Sequence, residues 1–340
     1  MITTMRDVAK RAGVSVTSVS HVINETRPVS YELRERVLAA MEELGYQPNR
    51  LARSLRSGKT QIIGTIVPDS ADPFFAEVAR GIEDTAFENG YSLILCNSDR
   101  NLGKEAFYTN VLVEKRVDGI LFLAAGVSTE RIVYLQQRGM PVVVVDRELP
   151  AANVDSVVTD NAGGGWSATR HLIDLGHQRI GHIAGPSDLR LSKYRSTGYC
   201  KALEEAGIAT DENMVVRGDF DFESGHRAAH QLLANDKRPT AIFACNDIMA
   251  IGAICAAVEL DLRVPEDLSV VGYDDIPLAS YSNPPLTTVA QPIYDMGVTA
   301  ASMLLEQLHD PSGPARQLVL DVELQIRRST AVPSAPGASN

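Results

Sequence analysis

The stretch TMRDVAKRAGVSVTSVSHVIN, residues 4–24, decides how the first part of the chain folds. Its apolar residues recur at helical spacing on both sides of Gly13, which predicts two short helices joined by a turn. Thr4 and Ser15 precede the helices, where a side-chain oxygen caps the first turn, and Asp7 completes a capping box with Thr4. Gly13 suits a left-handed helix end because it lacks a Cβ. The stretch therefore predicts a helix-turn-helix.

The second of these helices has two different faces. Val19 and Val22 point inward at helical spacing, whereas Val16, Thr17 and His21 point outward. In a helix-turn-helix, the second helix enters the major groove of DNA. A buried core histidine is the alternative interpretation of His21, but its outward phase favours contact with DNA.

A third amphipathic helix, opened by Ser30 and stopped by Gly45 and Pro48, completes a three-helix domain. The segment that follows, NRLARSLRSGKT, interleaves basic residues with leucine and alanine. A short basic linker that carries apolar wedges suits the minor groove of DNA. On composition alone, an ordinary solvated linker helix is an equally good interpretation.

Charge is distributed unevenly along the chain. The 340 residues carry a net charge of −11, which by itself argues against nucleic acid as a partner. Residues 1–60, however, hold ten Lys and Arg against six Asp and Glu, a balance of +4, so the rest of the chain carries −15. Positive charge is therefore concentrated where contacts to phosphate are needed.

From Gln61 onward, short apolar strands alternate with helices, a pattern typical of parallel sheets with helices on both faces. The predicted strands are residues 62–68, 91–96, 119–123, 142–146, 179–185, 214–217, 241–245 and 268–274. Matching residues recur at an offset of 117: Ile63-Gly64 with Ile180-Gly181, Gly81 with Gly198, and Gly90 with Gly207. The shared offset predicts a duplicated α/β lobe and a cleft between the two copies.

Ligands of open α/β sheets bind beyond the carboxyl ends of the strands, so residues that follow the predicted strands are candidates for ligand contact. Asp72 precedes two aromatic residues, Phe74 and Phe75, which suit the apolar face of a sugar ring. Asp146 and Arg147 place an acceptor beside a fork of donors, as vicinal hydroxyls require. The other candidates are Arg195, Phe220, Asn246, Asp274 and Gln291. Taken singly, each has an ordinary alternative role as a cap, turn or core residue.

The motifs DVAKRAGVSVTSVSHVIN and GYQPNRLARSL resemble the lactose-repressor family of bacterial transcription regulators, most closely its ribose and purine repressors. The similarity covers about residues 3–330 and implies a homodimer bound to a near-palindromic, double-stranded DNA operator. The base-reading residues that it implies are Val16, Thr17 and His21. The minor-groove hinge residues that it implies are Ala52, Leu55 and Arg56, with Leu55 as the wedge.

The resemblance also implies two Rossmann-like parallel-sheet lobes of the periplasmic-binding-protein type behind the all-α helix-turn-helix headpiece, with a monosaccharide effector between them. The cleft candidates match the ribose-binding pattern of the family except Asp72, where ribose binders tend to have Asn, so the identity of the sugar stays open. A purine fits less well, because Leu189 and Leu191 stand where the purine repressor has Arg and Thr.

The expected domains are a headpiece over residues 1–48, a hinge and linker over 49–60, and an effector and dimerisation domain over 61–330. Within the last domain, lobe 1 is expected at about 61–160 plus 291–325 and lobe 2 at about 162–290. Residues 331–340 are expected to form a disordered tail.

Other classes of function fit the sequence less well. The effector domain alone suggests a sugar-binding transport or receptor protein, but the headpiece and the polar N-terminus predict a cytoplasmic regulator without a membrane span. The same DNA function controlled by a purine co-repressor or a protein partner is the other alternative. No enzyme motif or cofactor site is evident, since His226 and His230 lack an HExxH context and a third ligand in the sequence. The four cysteines are predicted to be buried, reduced thiols.

Overall fold

The computed structural model describes residues 3–24, 27–46, 59–123, 129–149, 153–234, 237–310 and 313–334. By its internal contacts the chain divides into two compact units, Met1–Thr60 and Gln61–Asn340.

The N-terminal unit contains α1 (Met5–Ala12), α2 (Val16–Asn24) and α3 (Tyr31–Glu43). Gly13 ends α1 with φ +64°, as predicted. The Ser15 hydroxyl accepts a hydrogen bond from the Ser18 amide at 3.0 Å and so caps α2. The predicted capping box of Thr4 and Asp7 is present: the Asp7 carboxylate accepts hydrogen bonds from the Thr4 amide at 2.9 Å and from the Thr4 hydroxyl at 2.7 Å. The buried core of the unit consists of Val8, Ala9, Ala12, Val19, Val22, Val37 and Ala40.

The second unit alternates strands and helices as the sequence predicts. Its strands are β1 (Ile62–Val67), β2 (Ser92–Asn97), β3 (Gly119–Leu123), β4 (Val142–Val145), β5 (Asp155–Thr159), β6 (Ile180–Ala184), β7 (Val215–Arg217), β8 (Ala241–Ala244), β9 (Ser269–Asp274), β10 (Thr287–Ala290), β11 (Gln317–Leu320) and β12 (Glu323–Gln325). Its helices are α4 (Pro73–Glu88), α5 (Leu102–Glu114), α6 (Thr129–Gln136), α7 (Asn161–Asp174), α8 (Arg190–Glu205), α9 (Phe222–Leu233), α10 (Asp247–Glu259), α11 (Pro277–Tyr281) and α12 (Ile293–His309).

The strands form two sheets with corresponding strand orders. Lobe 1 has the order β11-β5-β4-β3-β1-β2, and lobe 2 has the order β12-β10-β9-β8-β6-β7. Every residue of β3, β4, β8 and β9 is buried, which is expected of parallel strands covered by helices on both faces. The predicted fold class, a helix-turn-helix headpiece followed by two parallel-sheet α/β lobes, is confirmed.

The glycines that match at an offset of 117 occupy corresponding places in the two lobes. A Cβ on Gly81 of α4 would lie 2.3 Å from the Tyr294 carbonyl oxygen of α12, and one on Gly198 of α8 would lie 2.2 Å from the Ala162 carbonyl oxygen of α7. In each lobe, therefore, the helix that follows the first strand approaches a neighbouring helix at a position where only glycine fits. Gly90 and Gly207 follow these two helices with left-handed φ values of +77° and +68°.

The C-terminal part of the chain differs from the prediction. The strand Glu323–Gln325 pairs antiparallel with β10 and so belongs to lobe 2, although lobe 1 was expected to extend to about residue 325. Residues 331–334, predicted to be disordered, pack on lobe 2, where the Ala331 amide donates to the Ser269 hydroxyl at 3.0 Å. The prediction that all cysteines are buried is wrong for Cys200, which is exposed on α8, and for Cys255, which is half-buried on α10.

Candidate functional site

A cavity of ≈ 390 Å³ lies at the carboxyl ends of the strands, between the two lobes. Nine of the ten predicted effector residues line it: Asp72, Phe74, Phe75, Asp146, Arg147, Arg195, Phe220, Asn246 and Asp274. Gln291, the tenth, is buried beside the cavity wall. Residues from loops far apart in sequence therefore converge on one space, as the duplicated α/β fold predicts.

The lobe 1 side of the cavity is built at the start of α4. The Asp72 carboxylate accepts a hydrogen bond from the Phe74 amide at 2.9 Å and so caps the helix. Phe74 and Phe75 pack edge to face with ring centroids 5.1 Å apart, and both belong to the core of lobe 1. The structural and the ligand-binding interpretations therefore apply together, because the cap and the core hold the two rings in place at the cavity wall.

Asp146 is the most unusual group in the cavity. It follows β4 with φ +56° and is buried, with 6% of its surface exposed. Its Oδ1 atom has no hydrogen-bond partner among the residues that the structure describes. Burial raises the pKa of Asp146 to about 6, although the Arg195 charge opposes this shift. A buried acceptor without a partner costs free energy, so this carboxylate is prepared to receive donors from a ligand.

Arg195 of α8 is held rigidly in the wall of lobe 2. Its Nη1 donates to the Cys245 carbonyl at 2.6 Å, and its Nε donates to the Asn161 side-chain oxygen at 2.7 Å. The guanidinium also lies 3.7 Å from the centroid of the Tyr273 ring. An arginine fixed by these contacts loses little conformational entropy when a ligand binds to it.

The carboxylate of Asp274 faces that arginine, with 3.5 Å between Oδ1 and Arg195 Nη1. Burial raises the pKa of Asp274 well above its ordinary value, and the Arg195 charge opposes the shift. Gln291 donates to Asp274 Oδ1 at 2.7 Å and accepts a hydrogen bond from the Thr159 hydroxyl at 2.5 Å. Gln291 therefore positions Asp274 from behind the cavity wall.

Sequence reasoning missed Arg100, which follows β2. Its Nη1 donates to the Asp219 carbonyl of lobe 2 at 3.0 Å, and its Nη2 lies 3.8 Å from Asp72. Both Arg100 and Asp219 line the cavity. The only signal in the sequence was the position of Arg100 shortly after a predicted strand. The remaining lining residues that were not predicted as effector contacts are Pro68, Leu102, Pro186, Asp188, Leu189 and Leu191.

A second polar bridge joins the lobes near Arg147. Glu148 of lobe 1 lies 3.2 Å from the Arg190 Nε of lobe 2 and accepts a hydrogen bond from the Tyr194 hydroxyl at 3.0 Å. Together with Arg100, this Glu148 bridge connects the lobes on either side of the cavity. Polar contacts between the lobes thus lie next to the cavity, in addition to the apolar contact of Ile276 with the core of lobe 1.

The predicted base-reading residues lie on α2 as expected. Val16 and Thr17 are exposed and His21 is half-buried, while Val19 and Val22 are buried in the core of the unit. The predicted hinge residues Ala52, Leu55 and Arg56 lie outside the described residues.

The cavity offers binding chemistry rather than nucleophilic chemistry. Its lining, within the described residues, includes carboxylates, arginines, an amide and aromatic rings but no serine, cysteine or histidine. Carboxylates accept hydrogen bonds from hydroxyls, and guanidinium groups donate to them. Among the described helices, none is both long enough and apolar enough to cross a bilayer.

Comparison with known proteins places these features in a family. Residues 4–49 match the model of bacterial regulatory proteins of the lacI family, and residues 169–330 match a periplasmic binding protein-like domain. The HTH-type transcriptional repressor PurR of Photobacterium profundum is 44% identical over 328 residues, which cover 96% of this chain and 98% of that protein.

Solved structures agree with this assignment. The lac repressor dimer bound to operator and the anti-inducer ONPF aligns with a TM-score of 0.87 at 31% identity, covering 97% of this chain and 100% of that one. A LacI family regulator from Enterococcus faecium with bound ribose aligns with a TM-score of 0.73 at 34% identity, covering 80% of this chain and all of that one. The chain belongs to the lacI family of bacterial regulatory proteins, as a DNA-binding transcriptional repressor and not an enzyme.

Proposed function

We propose that this repressor responds to a small polyhydroxylated effector, a ribose-like sugar in the first instance, bound in the cavity between the lobes. Asp146 Oδ1, which has no hydrogen-bond partner among the described residues, carries the proposal, because a buried acceptor needs a donor and hydroxyl groups supply one. Arg147 next to it and Arg195 opposite supply donors for the same hydroxyls. The ribose bound to the Enterococcus faecium regulator supports this choice.

A purine effector is the second candidate, and the 44% identity to PurR favours it. The chemistry of the cavity wall disfavours a purine. Leu189 and Leu191 line the cavity at the start of α8 and bring no donor or acceptor in their side chains. A purine base presents several ring nitrogens in one plane, and these lose hydrogen bonds to water against an apolar wall.

We further propose that the protein acts as a homodimer on a near-palindromic operator. Two-fold symmetry in the protein explains a palindromic site, since each headpiece then reads one half-site. Helices of lobe 2 expose large apolar side chains that suit such an interface: Val258 of α10 is 63% exposed and Tyr281 of α11 is 80% exposed. The lac repressor dimer bound to operator has the same fold, which supports this assembly.

The proposed switch is a change in the relative orientation of the lobes. An effector that contacts Asp146 in lobe 1 and Arg195 in lobe 2 favours the orientation that brings both residues to it. The free energy available equals the difference in effector affinity between the two states, typically about 1–3 kcal/mol. We expect the sugar to release DNA through the hinge over residues 49–60, with Leu55 as the minor-groove wedge.

Selection of DNA from a random library, followed by mobility-shift titrations with ribose and with purine bases, tests the proposal. We expect an inverted repeat to be enriched and ribose to weaken binding to it. Failure to enrich any inverted repeat overturns the operator model. A response to a purine base but not to ribose overturns the proposal of a sugar effector, and a response to neither excludes both ribose and purine bases as the effector.

Two variants separate the parts of the switch. Asp146→Ala should keep operator binding and lose the response to the sugar. Leu55→Ala should weaken operator binding and leave sugar affinity, measured by calorimetry, unchanged. Equal operator affinity for Leu55→Ala and the parent chain would remove the wedge from the mechanism.

A further inference from the structure

Two histidines and a glutamate meet on the surface of lobe 2, away from the effector cavity. His226 and His230 lie one turn apart on α9, and Glu259 is the last residue of α10. The Nε2 atoms of the two histidines lie 2.9 Å and 3.0 Å from the same oxygen, Glu259 Oε2. One potential ligand atom from each residue lies within 4.8 Å of the other two.

We propose that this cluster binds a divalent transition-metal ion, with Zn²⁺ as the best match. Zn²⁺ binds histidine nitrogens at about 2.0–2.1 Å and carboxylate oxygens at about 2.0–2.2 Å, so adjacent ligand atoms in a tetrahedral site are about 3.3 Å apart. The nitrogen–oxygen distances of 2.9 Å and 3.0 Å need to widen only by a few tenths of an ångström. Rotation of the exposed Glu259 side chain accommodates that change.

The backbone supports this geometry. Residues four apart on a helix project from the same face, which places His226 and His230 side by side with ring centroids 4.6 Å apart. α9 and α10 approach closely at two glycines: a Cβ on Gly225 would lie 2.4 Å from Met249 Cα, and one on Gly252 would lie 2.5 Å from the Phe222 carbonyl oxygen. The close helix packing brings the end of α10 to the histidine face of α9, so three ligands are present on a rigid scaffold.

The donor set decides the class of metal. Two imidazoles and one carboxylate suit Zn²⁺ and other late divalent ions, whereas Mg²⁺ and Ca²⁺ prefer oxygen ligands. Each histidine presents an unprotonated Nε2 to the metal, so the hydrogen that it now shares with Glu259 moves to Nδ1 or to solvent. Three protein ligands leave a fourth position for water.

Metal entry is open and the site is separate from the effector cavity. The side chains of His226, His230 and Glu259 are 25%, 36% and 57% exposed. Asn246 at the opposite end of α10 lines the cavity, and a helix of 13 residues spans about 20 Å. Zn²⁺ at this site therefore joins α9 to α10 without occupying the effector's place.

Titration of the full-length, chelator-treated protein with Zn²⁺ in a calorimeter tests the proposal, with Co²⁺ as a spectroscopic probe. We expect one ion per chain at this site, a visible Co²⁺ absorption typical of tetrahedral coordination, and a Zn²⁺-dependent rise in melting temperature. His230→Ala and Glu259→Gln should each weaken Zn²⁺ binding by roughly tenfold or more.

His309→Ala is the matched control, because His309 is an exposed histidine on α12 of lobe 1, outside the cluster, and its loss should leave Zn²⁺ affinity unchanged. Melting curves in chelator establish that each variant folds. Zn²⁺ affinity equal in the parent, His226→Ala and His230→Ala would overturn the site. A cluster that serves only as a hydrogen-bonded surface contact would give that result, together with no tetrahedral Co²⁺ spectrum.

Discussion

Asp146 directly follows β4 and Asp274 ends β9, the corresponding strand of lobe 2, and both have positive φ, +56° and +112°. Positive φ is rare outside glycine and costs free energy, so its occurrence at equivalent places points to a shared functional constraint. The backbone at these positions turns both carboxylates into the same cavity. Duplication of a lobe thus produces a binding site with an acidic acceptor on each wall.

The first prediction concerns the stability cost of Asp146. Its folded-state pKa of about 6 lies above the ordinary value of 3.8, so ionisation is harder in the folded chain than in the unfolded one. Folding is therefore favoured when Asp146 is protonated. This contribution to the free energy of unfolding is complete below pH 3.8 and is lost as the pH rises through about 6. A difference of about two units corresponds to about 3 kcal/mol at most. Asp146→Asn should therefore raise the melting temperature at pH 7.5 and have little effect at pH 4.

Asp321→Asn provides the control for this pH dependence, because Asp321 is exposed between β11 and β12. Its melting curve should follow that of the parent at both pH values. Calorimetry should show that Asp146→Asn loses sugar affinity while its melting temperature increases. A variant that is less stable than the parent at pH 7.5 would contradict the burial argument.

The second prediction concerns the Glu148 bridge. Glu148→Gln removes the ion pair to Arg190 and keeps a side chain that still accepts a hydrogen bond from Tyr194. Partly exposed ion pairs contribute about 0.2–1 kcal/mol, so effector affinity should fall by roughly 1.4- to 5-fold as the closed orientation loses support. Arg170→Gln is the control, since it breaks an exposed ion pair with Asp174 inside lobe 2. Equal affinities for the Glu148 variant and the parent in calorimetry would exclude the bridge from the switch.

The third prediction tests the duplicated helix contact. Gly81→Ala places a Cβ 2.3 Å from the Tyr294 carbonyl oxygen, which is backbone and moves only with its helix. Overpacking of this kind costs about 1–3 kcal/mol, so the midpoint of urea unfolding should fall. Gly313→Ala should leave the midpoint unchanged, because among the described residues, its chain neighbours apart, no heavy atom lies within 4 Å of the added Cβ. Equal midpoints for Gly81→Ala and Gly313→Ala would show that α4 and α12 separate easily.

The sequence predicts most of the site because the end of an apolar strand is a local signal and the repeated offset of 117 residues indicates a second copy of the lobe. Phe74, Asp146 and Asp274 each follow a recognisable apolar strand, and parallel topology brings such ends together. The sequence does not predict contacts between residues of different lobes. Arg100 reaches Asp219, which is 119 residues away in the chain, and no local pattern encodes that distance.

The strands that the sequence did not predict show a second limit of local sequence patterns. β5, β10, β11 and β12 were not predicted. β5 pairs with β11 and β10 pairs with β12, segments that lie later in the chain, so a local sequence pattern does not encode the pairing. Gln291 was predicted as a ligand contact because it matches the ribose-binding pattern of the family. Its partners, Thr159 and Asp274, come from different lobes, and only their arrangement shows that the amide lies behind the wall.

The fourth prediction concerns recognition of the operator by α2. His21 is half-buried beside Val22, while Val16 and Thr17 at the start of the helix are exposed. A base-reading side chain changes which sequence is preferred, whereas a phosphate contact weakens all sequences alike. His21→Ala should therefore alter the preferred half-site in a DNA selection, with a cost of about 1–3 kcal/mol on the original site. His309→Ala should select the same half-site as the parent. A uniform loss across sequences, with a reduced salt dependence, would assign His21 to phosphate contact instead.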